Sequence, residues 1–86
     1  MNTWEVAILK IVLANGGMGS LQHIYGELFR HVNLTTKHLE ITYKAPAYHH
    51  QTRAHVDGLL DKGELSRAKR GVYAITSKGR LRIGGK

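Results

Sequence analysis

The chain has 86 residues, no cysteine and a formal net charge of +7. A chain of this length is expected to form a single domain with one small core, which leaves little room for a deep substrate cavity. Without cysteine there are no disulfides or thiolate metal sites, and no segment has the roughly 18 apolar residues that span a membrane. We therefore expect a soluble, cytoplasmic protein.

The excess positive charge lies in the second half of the chain. Residues 1–43 hold three Lys or Arg and three acidic residues, whereas residues 44–86 hold ten Lys or Arg against three acidic residues. A basic half beside a neutral half is typical of a polyanion-binding surface. This distribution favours nucleic acid as the partner over a surface that serves solubility alone.

Two amphipathic helices are predicted in the first third of the chain. The stretch "NTWEVAILKIVLANGG" begins at a cap from Asn2 or Thr3, ends at Gly16 and Gly17, and places Trp4 in the core. The second helix, "LQHIYGELFRHV", covers residues 21–32 behind a Ser20 cap. Its apolar face consists of Leu21, Ile24, Tyr25, Leu28 and Val32.

A long connection over residues 33–47 precedes the third helix. It is predicted to hold a short helical turn capped by Thr35 or Thr36 and then extended chain, because Pro46 disfavours helix at Ala45. The third helix covers residues 48–62 and ends at Gly63. Gly58 costs about 1 kcal/mol relative to Ala in a helix, so its presence indicates close contact with another helix.

The third helix is predicted to have one apolar and one polar face. Its inward face holds Tyr48, Thr52, Val56, Leu59 and Leu60, and its outward face holds His49, His50, Arg53, Ala54 and Asp57. His55 fits either face.

The stretch "ELSRAKRGVYAIT" predicts two short strands joined by a turn at "AKRG", with Gly71 at a positive φ. Thr76 or Ser77 is expected to cap a last short turn, and residues 84–86 form a linker or an engineered end. The predicted fold is mainly α with a small β-hairpin over residues 1–83. Three helices followed by a two-stranded ribbon is the winged-helix variant of the helix-turn-helix.

The three histidines of "AYHHQTRAHV" do not have the spacing of a metal site. Ligands on one helix face recur at i and i+3 or i+4, and no pair among His49, His50 and His55 does so. We find no nucleophile motif, no phosphate-binding glycine loop and no clustered carboxylates for a nuclease metal. No catalytic residue, metal or cofactor is therefore predicted for this chain.

The alternative for this cluster is contact with double-stranded DNA. A helix of this kind fits the major groove, where Arg hydrogen-bonds guanine and Gln hydrogen-bonds adenine. The expected base contacts are Tyr48, His49, His50, Gln51, Arg53 and Ala54, and the expected backbone contacts are Tyr43, Lys44, Arg67, Lys69, Arg70 and Lys78.

The stretch "LLDKGELSRAKRGVYAITSKGR" resembles the end of the Mrr-type N-terminal domain of restriction endonucleases. The shared features are the leucine-glycine helix end, the basic "KRG" turn and "GVYAIT" followed by "KGR", although the family commonly has Trp where this chain has Tyr73. The resemblance extends back over "NLTTKHLE" and the long connection. It implies a winged helix that recognises duplex DNA beside a fused or associated nuclease domain.

Similar winged helices also accompany nucleases that cut only methylated DNA. A reader of N6-methyladenine or 5-methylcytosine would place an apolar or aromatic side chain against the methyl group, and Tyr43, Tyr48 and Ala54 are candidates. We expect the isolated domain to be a monomer. Two alternatives remain: a protein-docking winged helix that binds no DNA, and a structured-RNA binder, which the small number of aromatic residues disfavours.

Overall fold

The computed structural model describes residues 3–34, 40–42 and 45–84. Most of the described part is helical, as predicted, and the helices accompany an antiparallel sheet. The chain order is α1 (Thr3–Ala14), β1 (Met18–Ser20), α2 (Leu21–Glu27), a 3₁₀ turn (Leu28–Arg30), β2 (Ile41–Thr42), β3 (Ala45–Pro46), α3 (Ala47–Asp61), β4 (Leu65–Lys69), β5 (Val72–Ile75) and α4 (Ser77–Arg82).

The main sheet has three antiparallel strands in the order β1-β5-β4. The hairpin of β4 and β5 was predicted, but the prediction of a two-stranded ribbon lacked one strand. Strand β1 pairs with the other edge of β5. Three residues that include a glycine carry no alternating pattern, so only the long-range pairing of Met18 with Ala74 and of Ser20 with Val72 identifies this strand. A second, two-stranded sheet pairs β2 with β3 in the predicted extended connection.

Several predicted helix and turn signals are confirmed. The Ser20 hydroxyl accepts a hydrogen bond from the His23 amide at 3.0 Å, and Thr76 caps α4 by accepting one from the Gly79 amide at 3.1 Å. Gly63 and Gly71 have φ angles of 75° and 73°, as expected for the end of α3 and the hairpin turn.

Other helix boundaries differ from the prediction. Helix α2 ends at Glu27 rather than residue 32, because the chain tightens there into a 3₁₀ turn that still buries Leu28. Thr3 is the first residue of α1 rather than its cap, and Asn2 lies outside the described residues. The turn predicted at Thr35 or Thr36 also lies outside them.

Helix α1 passes through the centre of the core. Ile8, Leu9 and Val12 are fully buried and belong to one cluster with Ile24, Leu28, Val56 and Leu59. Trp4 packs against this cluster, as expected. A methyl group at Gly58 would lie 3.5 Å from the Glu5 carboxylate, so α3 faces α1 there at an ordinary contact distance, and the close approach predicted from this glycine is not seen. None of the helices in the described ranges has the length and apolar character needed to cross a bilayer.

Candidate nucleic-acid interface

An open groove of about 670 Å³ lies between α3 and the hairpin of β4 and β5. Arg53 of α3 lines one wall, and Arg67, Lys69 and Arg70 line the other. Leu21 of α2 and Tyr73 of β5 complete the lining together with Gly71. Among the described lining residues, the charged side chains are all cationic, and the others are apolar, aromatic or glycine.

The backbone holds the hairpin turn against the start of α2. The Leu21 amide donates a hydrogen bond to the Gly71 carbonyl at 2.8 Å, and Ser20 pairs with Val72 in the sheet. The positive φ of Gly71 closes the turn that places Lys69 and Arg70 on this wall. The relative positions of α2 and the turn therefore depend on main-chain contacts rather than on side chains alone.

Arg67 and Tyr73 face each other across the two strands of the hairpin. Their Cα atoms are direct partners in the register, and the Arg67 guanidinium carbon lies 5.8 Å from the centre of the Tyr73 ring. Tyr73 is buried, whereas Arg67 is exposed. Beyond Arg67 the register shifts by one residue before Lys69, and such a bulge increases the local twist of a strand.

Three acidic side chains of the described residues, those of Glu5, Glu27 and Glu64, pair with cations away from the groove. Glu5 bonds Lys62 and Arg82 at 2.8 Å each, and Arg82 also bonds Glu64. Glu27 pairs with Arg30 at 3.3 Å. In the described part of the chain, none of the four groove cations is paired with a carboxylate. The positive charge of the groove is thus not cancelled by ion pairs within the fold.

The structure corrects the prediction that His49 faces outward. Its ring stacks on Tyr25 of α2 with centroids 3.8 Å apart and planes 4° apart, and it meets Tyr48 edge-on at 4.4 Å. The periodicity of α3 places His49 on the polar face, but the ring of Tyr25 on the neighbouring helix α2 covers it. Burial lowers the pKa of His49, and the nearby His50 lowers it further.

The aromatic cluster of Tyr25, Tyr48 and His49 lies beside the groove residue Arg53. Burial raises the pKa of Tyr25, while the positive charge of Arg53 acts in the opposite direction. The electrostatic influence of Arg53 therefore reaches the cluster that anchors the first turns of α3.

The remaining predicted base contacts are divided by their exposure. His50, Arg53 and Ala54 are exposed, whereas Tyr48 and Gln51 are half-buried. His55, for which both faces had been considered, packs against Trp4 with ring centroids 5.8 Å apart.

The predicted backbone contacts fall into three groups. Arg67, Lys69 and Arg70 come together in the groove. Lys78 is exposed on α4 and is not brought to the groove. Its neighbour Gly79 packs against Glu64, which precedes β4, whereas the groove residue Lys69 ends that strand. Tyr43 and Lys44 lie outside the described residues.

Within residues 3–34, 40–42 and 45–84, no three His, Asp or Glu side chains are arranged to hold a metal ion. The other two cavities described are smaller, at about 260 and 170 Å³, and they lie along α1 with His31 in both linings.

Two residues that line the groove and one that supports it were not predicted to lie there. Leu21 and Tyr25 were predicted only as part of the apolar face of the second helix, and no role at a groove was predicted for Tyr73. The sequence carries no local signal for either placement, because Leu21 reaches the turn only through the pairing of distant segments. No family model, curated protein or solved structure matches the chain.

Proposed function

We propose that this chain is a winged-helix module that binds double-stranded DNA. The order α1, β1, α2, α3, β4, β5 is compatible with that fold, with β4 and β5 as the wing. In this arrangement α3 enters the major groove, and the wing contacts the adjacent sugar-phosphate backbone.

The observation that carries the proposal is the groove between α3 and the wing. In the described part of the chain, four cations from α3 and the hairpin line it, and no carboxylate does. A strand of DNA carries a phosphate at each nucleotide, and unpaired Lys and Arg gain affinity by releasing the counterions of those phosphates. Arg53 lies where the groove meets α3, and the exposed Ala54 follows it on the same helix, where the proposal places the base contacts.

The target-recognition part of a restriction endonuclease is the biological role that we propose, on the basis of the resemblance to Mrr-type domains. The nuclease would then be a fused or associated domain, and this chain would supply recognition. Exposed Ala54 offers a small apolar surface for a methyl group on a base, which fits a reader of N6-methyladenine or 5-methylcytosine.

The test is fluorescence anisotropy with labelled duplexes that are unmodified or carry N6-methyladenine or 5-methylcytosine, each at two salt concentrations. We expect salt-sensitive binding to duplex DNA, and a preference for one modified duplex would identify the modification. Equal binding to all duplexes would retain DNA binding and remove the methylation proposal. Failure to bind any duplex would contradict the proposed function.

A protein-docking module is the second candidate, because three large apolar side chains in the described part of the chain are exposed. They are Met18 on β1, Phe29 on the 3₁₀ turn and Leu81 on α4, with exposed fractions of 48%, 60% and 79%. Single exposed apolar residues are common on proteins, and these three belong to different elements. The cationic groove therefore favours DNA, and the absence of binding in the anisotropy test would favour docking.

A further inference from the structure

The four cations of the groove are not equivalent, because one of them is held by an aromatic ring. Among the described residues, Arg67 is the groove cation with a ring contact, to Tyr73 at 5.8 Å. Arg53 extends from a helix, Arg70 lies in the hairpin turn, and Lys69 follows the bulge. Of these four, Arg67 is the one that lies in a paired strand and also has its guanidinium against an aromatic ring.

The ring that restrains Arg67 is itself fixed. Tyr73 is 7% exposed and belongs to the core cluster, and its strand is paired on both sides, with Gly19 and with Arg67. A buried ring between two strand partners gives the guanidinium a rigid support. A cation–π contact of this kind biases a long side chain toward one orientation.

A guanidinium that packs on a ring keeps its N–H edge free for a ligand. The planar edge presents two parallel N–H donors that match two oxygens of one phosphate, a geometry that Lys cannot reproduce. Among the residues that the structure describes, no carboxylate lines the groove to occupy this edge. A restrained Arg also loses less conformational freedom when it forms both hydrogen bonds.

We propose that Arg67, supported by Tyr73, binds one phosphodiester of the DNA strand through a bidentate contact and thereby fixes the position of that strand in the groove. The inference rests on the proposed function and goes beyond it. Arg67 would bind through two hydrogen bonds of defined geometry, whereas Lys69 and Arg70 would contribute to affinity through their positive charge alone. Arg67 is the residue at which hydrogen-bond geometry, rather than charge, determines affinity.

The experiment compares two substitutions that conserve charge, Arg67→Lys and Arg70→Lys, on the same labelled duplex over a series of salt concentrations. We expect Arg67→Lys to weaken binding about tenfold and Arg70→Lys about twofold or less, because only the first removes a restrained bidentate contact. The salt dependence should be unchanged in both variants, since each keeps its positive charge. Thermal unfolding of each variant establishes that the fold is retained.

Tyr73 variants provide an independent comparison. Tyr73→Phe keeps the ring and should bind like the wild type, whereas Tyr73→Leu should reproduce the loss seen in Arg67→Lys, with no further loss when the two are combined. If Tyr73→Leu does not fold, the two lysine substitutions decide the question alone.

The possible failures are distinguishable. Equal losses in Arg67→Lys and Arg70→Lys, or wild-type binding by folded Tyr73→Leu, would overturn the role of Arg67 and leave DNA binding intact. A wild-type chain that binds no duplex would instead contradict the proposed function and this inference together.

Discussion

His49 of α3 lies face to face on Tyr25 of α2, with ring centroids 3.8 Å apart. The contact joins the first turn of α3, the helix that carries Arg53, to α2. The first residue of α2, Leu21, is in turn hydrogen-bonded to Gly71 of the hairpin turn. A histidine that appears in the sequence as part of a polar cluster is therefore a packing residue, and its titration should affect stability.

Replacing His49 with Phe should flatten the dependence of stability on pH. The pKa of His49 in the fold is lowered from 6.5, mainly by burial, so the unfolded chain takes up the proton first as the pH falls. The stability that the neutral ring contributes is present above that unfolded value and is lost as the pH falls toward the folded-state pKa. Urea unfolding at pH 7.5 and at about pH 5.5 measures this loss. The control is His31→Phe at an exposed position, and an unchanged pH dependence in His49→Phe would contradict the assignment.

Replacing Arg53 with Ala should weaken duplex binding by about 1–3 kcal/mol and relax the sequence preference. The reason is that Arg53 is exposed where α3 meets the groove and is free of ion pairs in the described part of the chain. Anisotropy on a panel of duplexes measures both effects, with the exposed Lys78→Ala as a control outside the groove. An equal loss on every duplex would mean that Arg53 contacts phosphate rather than a base.

Replacing Lys69 with Ala should weaken binding to all duplexes alike. Lys69 lines the wing side of the groove, and a phosphate contact carries no sequence information. The slope of log affinity against log salt should decrease by about 1, because one fewer counterion is released. A loss confined to particular sequences would instead assign a base contact to Lys69.

Two glycine substitutions should have opposite effects on stability. A methyl at Gly79 would overlap the Glu64 carbonyl oxygen and lie 2.8 Å from Ile75, so Gly79→Ala should destabilise the fold by about 1–3 kcal/mol. A methyl at Gly58 would lie at an ordinary contact distance of 3.5 Å from Glu5, so Gly58→Ala should stabilise by up to about 1 kcal/mol. Chemical denaturation of both variants checks the pair, and destabilisation by Gly58→Ala would show that α1 and α3 pack more tightly there than the distance indicates.

Replacing Glu5 with Gln should destabilise the fold by about 1–3 kcal/mol, because two charge-assisted hydrogen bonds to a buried carboxylate are weakened. Burial raises the pKa of Glu5, but hydrogen bonds from Lys62 and Arg82 and their positive charges bring it below 4.5. The stability that this carboxylate contributes is present above 4.5 and is lost as the pH falls further. Unfolding at pH 7 compared with about pH 3.5 should show a smaller loss in Glu5→Gln than in the wild type, and equal losses would contradict the assignment.

Local patterns were sufficient for the elements that have a clear period or turn. The amphipathic stretch "NTWEVAILKIVLANGG" predicted α1, and the Gly71 turn predicted the hairpin. Strand β1 could not be predicted, because its pairing with β5 joins residues more than fifty positions apart and its three residues have no period of their own.

The candidate site was predictable in its charge and not in its geometry. The basic second half indicated Arg67, Lys69 and Arg70, but nothing local placed Arg53 across a groove from them. Periodicity assigns Tyr73 to the core and cannot show that an exposed arginine packs on its ring. His49 was misassigned for a related reason, since its cover comes from α2, which a helical period does not represent.

The hydrogen bond from the Leu21 amide to the Gly71 carbonyl bears on the kinetics of the proposed DNA binding. It attaches the turn of the hairpin to the start of α2, so this wall of the groove is held in place by the fold itself. Association then requires little ordering of the loop, and its entropic cost is small. The rate of encounter should depend chiefly on long-range attraction to the cationic groove, and it should fall steeply as added salt shortens the range of that attraction.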